Sequence, residues 1–369
     1  MAEPMRPTVS IIIKAFNEER RIAAAIESAL AALADIDGEV ILADGASTDR
    51  TIAIAQTYPI KIVRLDRAAD RSCGAGAQLG FQYSNGEFLW LMDGDMQLDR
   101  HFLAAGVRYL QDNPTAAGVS GIVINRDVVN LEYVQRLRRF DPDLRPGPVT
   151  RLAGCGLYRR SAIDSIGYST DRNLHGGEEL ELSARLQSAG WTLTKIDRLA
   201  VEHYCHTGNT YWLLLRRMKT RNACSPGEIL RASLGRSHFG FVVRHNRNAL
   251  FCGSVALWWA LIAAAALFAS GVAAIVTSAL LLVFPFAVMS WRWRSLRSAL
   301  YSVAVWNVQA LCFLPGFFWP RKPPASWIPS SVIKDQLPPR ATCSRRSVEQ
   351  AEARIPFARS GRDAVHPAH

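Results

Sequence analysis

The chain has 369 residues, 49% of them apolar, and a formal net charge of +11. This length suits one large α/β domain with added elements, or two domains. Seven scattered cysteines (73, 155, 205, 224, 252, 312, 343), with no CxxC pair, exclude a disulfide framework and a structural zinc site, and no nucleic-acid motif accompanies the basic charge.

Along the chain, MAEPMRPT lacks the apolar core of a signal peptide, so the first 240 residues are expected to stay in the cytosol. VSIIIKAF (9–16) is apolar throughout and predicts a buried strand. Ile22, Ile26, Leu30 and Leu33 recur at helical spacing and predict a helix over 18–34. EVILADG (39–45) is a second strand, STDRTIAIAQTY opens a helix on a Ser/Thr/Asp cap, IKIVRLD (60–66) is a third strand, and 74–84 is a helix. EFLWLMDGD (87–95) is the fourth strand, and Asp99 stands at what reads as a helix start. Wholly apolar strands alternating with helices predict a Rossmann-like, mostly parallel sheet covered on both faces. Ligands bind beyond the carboxyl ends of such strands.

Those ends are polar. The first stops at Phe16-Asn17-Glu18, the second at Asp44-Gly45, the fourth at Asp93-Gly94-Asp95. One acidic strand end is ordinary turn chemistry, whereas three at the same edge argue for a site. Two aspartates splayed around a glycine suit Mg²⁺ or Mn²⁺, which are held by one or two carboxylates plus substrate phosphates. Asp44 is placed to accept from a base or ribose. Arg71, after the third strand, either faces a diphosphate or is a solvated surface arginine. GAGAQLG (74–80) resembles a dinucleotide fingerprint, with Asp95 at about the distance of the ribose-binding acid. It follows the third strand rather than the first, and the long loop RAADRSC replaces the tight turn, which counts against NAD(P).

Further on, acids are expected at the helix start in HGGEELELSARLQSAGW (175–191), where Glu181 can pair with Arg185 one turn on. YWLLLRRMKTRN (211–222) predicts an amphipathic helix at a membrane surface, with Trp212 and leucines on one face and a basic face opposite. It is placed to gate the site or to meet acceptor phosphates through Arg216 or Arg217. No charged residue occurs from Ala249 to Trp291, enough for two spans turning at Ser270-Gly271 (about 250–270 and 272–290). WRWRSLR (291–297) then marks the cytoplasmic edge. The uncharged stretch 299–319 contains Asn307, Gln309, Pro315 and Gly316 and precedes a basic tail. It therefore reads as interfacial or re-entrant rather than spanning. Residues 321–369, rich in Pro, Ser and Arg, read as disordered.

SIIIKAFNEE, ADGASTDRT, NGEFLWLMDGD and GGEELELSARLQSAGW, in that order, resemble the successive motifs of family-2 glycosyltransferases of GT-A fold, over about residues 8–205. The resemblance implies that Phe16 and Glu18 lie near the uracil and ribose, and that Asp44 accepts from the base. It places Asp95 on the metal of the sugar-nucleotide diphosphate, with Asp93 close to ribose and metal and Gly94 between them. Members usually have Glu-Asp where this chain has Glu178-Glu179, the second acid deprotonating the acceptor hydroxyl, so Glu179 is the carried-over base and Glu178 its rival. Gly176 and Gly177 would let the acceptor approach. His203, or else His206, would add a metal or diphosphate contact. Two departures are plain: Lys14 stands where the family often has proline, and Ala77-Gln78 replaces an Arg-Asn, so neither position inherits a role.

These motifs imply a membrane-anchored inverting enzyme of the hexosyltransferase type, with Mg²⁺ or Mn²⁺ as cofactor. It would transfer from a nucleoside-diphosphate sugar, a UDP-sugar first, to a lipid-linked or envelope-polysaccharide acceptor. The site would face the cytoplasm at a bacterial inner membrane, among anionic lipids and without nucleic acid. The expected division is a GT-A domain over 1–207, basic interfacial helices over 208–248, membrane segments over 249–320 and a tail over 321–369. Two to three hydrophobic segments line no polymer channel, so single-sugar addition is expected rather than processive export. The alternatives are a silent nucleotide-sugar-binding membrane scaffold and a nucleotidyltransferase-like enzyme. The latter needs a glycine-rich loop after the first strand, and KAFNEERR has none.

Overall fold

The computed structural model describes residues 8–138, 145–152 and 154–335. The leaderless start expected for residues 1–7 and the tail over 336–369 lie outside the described residues.

Strands β1 (Val9–Ala15), β2 (Gly38–Asp44), β3 (Lys61–Leu65) and β4 (Phe88–Asp93) form a parallel sheet in the order β3-β2-β1-β4. Helices α1 (Ile22–Ala32), α2 (Thr51–Ala55) and α3 (Cys73–Gln82) make the crossovers. The order reverses at β1, so the crevice beyond the β1 and β4 ends is the expected ligand position. Alternation along β1 sends Val9, Ile11 and Ile13 into the core beneath α1, and Ile12 into the opposite core with Ala75, Ala77 and Leu79 of α3. The dinucleotide fingerprint dissolves here. Its glycines lie within α3, Gly74 pressed on the Asp171 carbonyl and Gly80 on the Ile12 side chain, where a Cβ would not fit.

The second half is mixed and largely antiparallel. After β5 (Met96–Leu98) come α4 (Phe102–Asp112), β6 (Ala116–Arg126), α5 (Leu131–Arg138), β7 (Gly147–Pro148), β8 (Gly156–Arg159), α6 (Arg160–Ser165), α7 (Glu178–Ser188) and β9 (Thr192–Tyr204). They extend the sheet as β4-β8-β6-β9-β5, with β7 beside β9. The helix start expected at Asp99 is displaced. Met96–Leu98 pair with Val201–His203 of β9, and Asp99 caps the following turn by accepting from the His101 amide at 2.9 Å.

Basic helices α8 (Thr210–Lys219), α9 (Ser225–Ser233) and α10 (Phe239–His245) lead to α11 (Arg247–Phe268), α12 (Gly271–Trp293) and α13 (Leu296–Phe318). The last three are each long and apolar enough to cross a membrane. The faces of α8 are not as drawn from the sequence. Leu213 and Leu214 are buried, Leu213 beside Tyr133 and Cys205, whereas Trp212 and Leu215 are exposed. Helices α11 and α12 carry about half of the exposed large apolar side chains among the described residues, Leu267, Phe268 and Val272 among them, and α12 buries none of its residues.

Helix α13 differs. It is continuous rather than re-entrant, and it touches the rest of the chain near both ends while its middle packs on α11 and α12, where Phe251 stacks on Trp306. Gln135 of α5 donates to the Ser298 carbonyl at 3.0 Å and to Ser302 Oγ at 3.1 Å, while Cys312 packs beside Ala223 and Cys224, and Gly316 against Cys224. Beyond it the expected disorder begins later than 321. Arg321 is paired with Asp171 and Lys322 with Asp70; Arg172 donates to the Ser326 and Trp327 carbonyls. β10 (Ser330–Asp335) then adds antiparallel to the outer edge of β3. Partners 150 or more residues away in sequence order this segment, which its own composition could not reveal.

Candidate active site

The loops that follow β1 and β2 brace each other. Asn17 holds the left-handed conformation (φ 57°), its amide donates to Ser47 Oγ at 3.0 Å, and the Glu18 amide donates to Thr51 Oγ1 at 2.8 Å. Asp44 is fully buried. Its Oδ2 accepts from the Ser47 amide at 2.9 Å and lies 3.6 Å from Arg64 Nε, whereas Oδ1 is buried without a partner. Burial pushes the Asp44 carboxyl up, against the pull of the Ser47 hydrogen bonds and Arg64. Arg71 lies with its guanidinium carbon 3.6 Å above the Phe16 ring and donates to the Gly45 carbonyl at 3.3 Å. It therefore belongs to the Phe16–Asp44 corner rather than to solvent.

Register makes Lys14 and Asp93 neighbours across β1 and β4, and the Gly94 amide closes the corner by donating to the Lys14 carbonyl at 2.8 Å. A Cβ at Gly94 would stand 3.2 Å from Glu18 Cγ, so the two loops meet there. The two aspartates then part. Asp93 Oδ1 lies 2.9 Å from Lys14 Nζ. Asp95 Oδ2 lies 3.6 Å from His203 Nε2, while its buried Oδ1 has no partner. His203 is oriented by Asn125 Oδ1, 2.8 Å from its Nδ1. Burial, with Asp95 and Asp93 nearby, lifts Glu18 to about 8.

A carboxylate–imidazole pair with an open, buried carboxylate oxygen fits a divalent ion whose other ligands come from a diphosphate. Among the described residues no cluster of three His, Cys, Asp or Glu side chains closes on a point by itself. The expected metal set is thus divided: Asp95 and His203 are together, whereas Asp93 is committed to the lysine.

Helix α7 packs Leu182 and Leu186 into the core beneath α3 and so brings its first turn to the same crevice. Glu178 is 4% exposed, with Oε1 2.9 Å from Lys14 Nζ. Glu179 is partly exposed; burial and the Glu178 carboxylate lift it to about 7, with Lys14 opposing. Glu181 and Arg185 pair as expected, at 2.8 Å and fully buried on the acid's side. Gly176 and Gly177 have a different use from the one expected. A Cβ at Gly176 would meet Asn222 Nδ2 at 2.7 Å, and one at Gly177 (φ 70°) would meet Ile229 Cδ1 at 2.6 Å. The glycines thus admit α9 and the turn before it rather than an acceptor.

Of the two α8 arginines, Arg217 is paired with Glu132 at 2.6 Å, whereas Arg216 lies within electrostatic reach of Glu18 and His206. Burial lowers His206. Lys14, Asn125 and Gln78 carry no motif signal. Gln78, in place of the family's Asn, accepts from the Ser169 amide at 2.9 Å and so fixes the loop that leads to α7. A basic cavity of ≈ 90 Å³ adjoins the site, lined by Arg71, Arg172, Arg221, Arg321, Lys322 and Trp319.

Residues 10–167 match the sequence model of Glycosyl transferase family 2. EpsE of Bacillus subtilis, a glycosyltransferase by name, is 32% identical over 197 residues, which are 50% of this chain and 68% of EpsE. The succinoglycan biosynthesis protein ExoO of Rhizobium meliloti is 32% identical over 139 residues, 36% of this chain. The match spans only 37% of the length of ExoO, and that to the related ExoA 62%. Among solved structures, the mannosyltransferase PcManGT of Pyrobaculum calidifontis, bound to GDP-Man and Mn²⁺, superposes with a TM-score of 0.53 at 20% identity, covering 84% of this chain and 88% of that one. Its likeness is one of fold, the GT-A fold, and on the extent of the EpsE match the chain belongs to glycosyl transferase family 2.

Proposed function

We propose that this glycosyltransferase moves a sugar from a UDP-sugar to a hydroxyl of a lipid-linked or envelope-polysaccharide acceptor, with inversion, at the cytoplasmic face of the inner membrane. The observation that carries the reading is a pair of buried carboxylate oxygens without partners, Asp44 Oδ1 and Asp95 Oδ1, at strand ends on either side of β1. A buried acceptor left unpaired costs about 1–3 kcal/mol, and a bound donor would satisfy both. Because Oδ2 of Asp44 is already taken by Ser47, one oxygen remains for the base. It suits the single imide N–H of uracil better than the two-donor edge of guanine. Phe16, with Arg71 above it, offers a flat wall for the ring.

Asp95 and His203 would hold Mg²⁺ or Mn²⁺, which when bound supplies Lewis-acid neutralisation of the departing diphosphate. Glu179 takes the proton from the acceptor hydroxyl as that oxygen attacks the anomeric carbon and the bond to the diphosphate oxygen breaks. A single displacement inverts the configuration. The basic cavity of Arg172, Arg221 and Arg321 lies against Gly316 and Trp319 at the end of α13 and suits an anionic acceptor arriving from the lipid surface.

The membrane orientation follows from attachment. The α11–α12 hairpin touches protein mainly through α13, with Phe251 stacked on Trp306 and Trp259 Nε1 donating to Asn307 Oδ1 at 2.7 Å, and its outward face suits two crossings. Helix α13, about 34 Å long, is held at Ser298 by α5, and beyond its other end Arg321 is held by Asp171. Both ends therefore sit on the catalytic side, and it lies along the interface instead of crossing.

The test is turnover. Purified protein in lipid nanodiscs is given a panel of radiolabelled UDP- and GDP-sugars with extracted envelope lipids, and the product's anomeric configuration is read by NMR. Transfer from one UDP-sugar with inversion is expected. Transfer confined to GDP-sugars would overturn the base assignment, and retention would overturn the mechanism.

A further inference from the structure

Strand alternation puts Ser10, Ile12 and Lys14 on the face of β1 covered by α3 and α7. The first two sit at 0% exposure, and Lys14 is the last before the crevice. Its stem runs under the first turn of α3, where a Cβ on Gly76 would stand 3.5 Å from Lys14 Cβ and Cγ. Only 14% of the side chain is exposed, yet Nζ lies 2.9 Å from Asp93 Oδ1 and 2.9 Å from Glu178 Oε1. Burial draws this ammonium down, but Asp93, Glu178 and Glu179 outweigh it and hold it well above the ordinary lysine value.

Two acidic pairs converge here, Asp93/Asp95 from β4 and Glu178/Glu179 from α7, and the lysine takes one member of each. What remains is complementary. Asp95 keeps a buried oxygen without a partner, and the Glu179 side chain makes no hydrogen bond to another described residue. A carboxylate bonded to a buried ammonium is poorly disposed to take up either a metal or a proton, because either must displace an existing charge partner.

We infer that Lys14 is a positioning residue that commits Asp93 and Glu178 to a fixed bridge between the donor and acceptor halves of the site, leaving Asp95 for the metal-diphosphate and Glu179 for the acceptor proton. This rests on the roles of Asp95 and Glu179 proposed above. It also explains how a chain with Glu-Glu keeps one base, since the lysine removes the other from contention.

The measurement is Mn²⁺ affinity in the presence of saturating UDP, by calorimetry, alongside kcat and donor KM. Lys14→Met keeps the length of the stem and frees both carboxylates. Mn²⁺ should bind at least threefold tighter as Asp93 becomes available. The kcat should fall at least tenfold as Glu178 and the start of α7 lose their tether, with donor KM within about threefold. Lys14→Arg, which keeps the charge and can reach both acids, should restore Mn²⁺ affinity to the parent value and recover most of kcat. Should Lys14→Met fail to fold, Lys14→Gln, neutral but still a donor, must show the same tightening of Mn²⁺. A folded neutral variant with parental Mn²⁺ affinity and parental kcat would overturn the inference. Asp95→Asn serves as the separate control. If it leaves Mn²⁺ affinity untouched, the underlying metal assignment fails instead.

Discussion

Glu179→Gln removes one basic oxygen while keeping the shape of the first turn of α7, and its consequences can be worked out from the site. Burial and Glu178 raise Glu179 to about 7, Lys14 opposing, so the base loses its proton only as pH rises through neutrality. The sign is therefore an acid limb in kcat/KM for the acceptor, the quantity that reports a base before the acceptor binds. About a tenth of the enzyme is competent at pH 6 and about nine tenths at pH 8, a rise of roughly tenfold. Glu18, at about 8, titrates in an overlapping range, but it faces Asp95 and Asp93 on the donor side and should register in donor KM rather than in acceptor kcat/KM at saturating donor. The substitution should lower acceptor kcat/KM by roughly 10²–10⁴ and flatten the limb, with UDP affinity within a few-fold of the parent. Glu178→Gln should do less, because its carboxylate serves Lys14 rather than the acceptor. The assay is UDP release at saturating donor and subsaturating acceptor from pH 5.5 to 9. An acid limb that survives intact in Glu179→Gln would refute the assignment, and loss confined to Glu178→Gln would move the base by one residue.

Asp95→Asn should weaken UDP–Mn²⁺ binding at least tenfold, and His203→Ala should do so by about tenfold; calorimetry that finds UDP binding indifferent to both changes and to EDTA would exclude the metal site. Gly177→Ala places a Cβ at φ 70° and 2.6 Å from Ile229 Cδ1, and should destabilise by about 1–3 kcal/mol, read as a lower Tm in detergent with loss of kcat. A reporter fused after His369 should report cytoplasm on the proposed topology, in which the Ser298 and Arg321 tethers keep both ends of α13 on one side; periplasmic alkaline phosphatase activity from that fusion would mean that α13 crosses.

The parallel half was legible because its strands carry apolar runs that no period-2 alternation interrupts, and its helices follow at short range. Ile11, Ile12 and Ile13 can only be buried on both faces, and four strands alternating with helices leave few topologies. The second half hides its order in long-range pairing. β5 is three residues long and exists because β9 lies beside it about a hundred residues later, which no local signal at Asp99 betrays. The acids of the site could be read from their place at strand ends and at a helix start. Their partners could not. Whether Asp93 meets a metal or a lysine depends on the register of β1 against β4 and on the docking of α7, both tertiary facts. Gly176 and Gly177 show the same limit, for a glycine signals close approach but not what approaches, and here it is Asn222 and Ile229.

The ordered segment after α13 ties the two ends of the proposed reaction path together. Arg321 is paired with Asp171 and Lys322 with Asp70, residues that flank the loop leading to α7 and the loop leading to α3. Arg172 and Asn173, between Asp171 and the acid pair, are fixed by the carbonyls of Ser326, Trp327 and Lys322. The chain that leaves the long apolar helices thus braces the loop that sets the start of α7, and hence the position of Glu179 relative to Lys14. An edge strand alone needs none of this, since β10 could cover β3 without a charged side chain reaching Asp171 or Asp70. Five basic groups around one small cavity, partly balanced by Asp70, Glu228 and the Asp171 that pairs with Arg321, leave a positive surplus where α13 ends. Such a surplus is costly in a merely structural joint and useful where an anionic acceptor must pass from the lipid surface to the base.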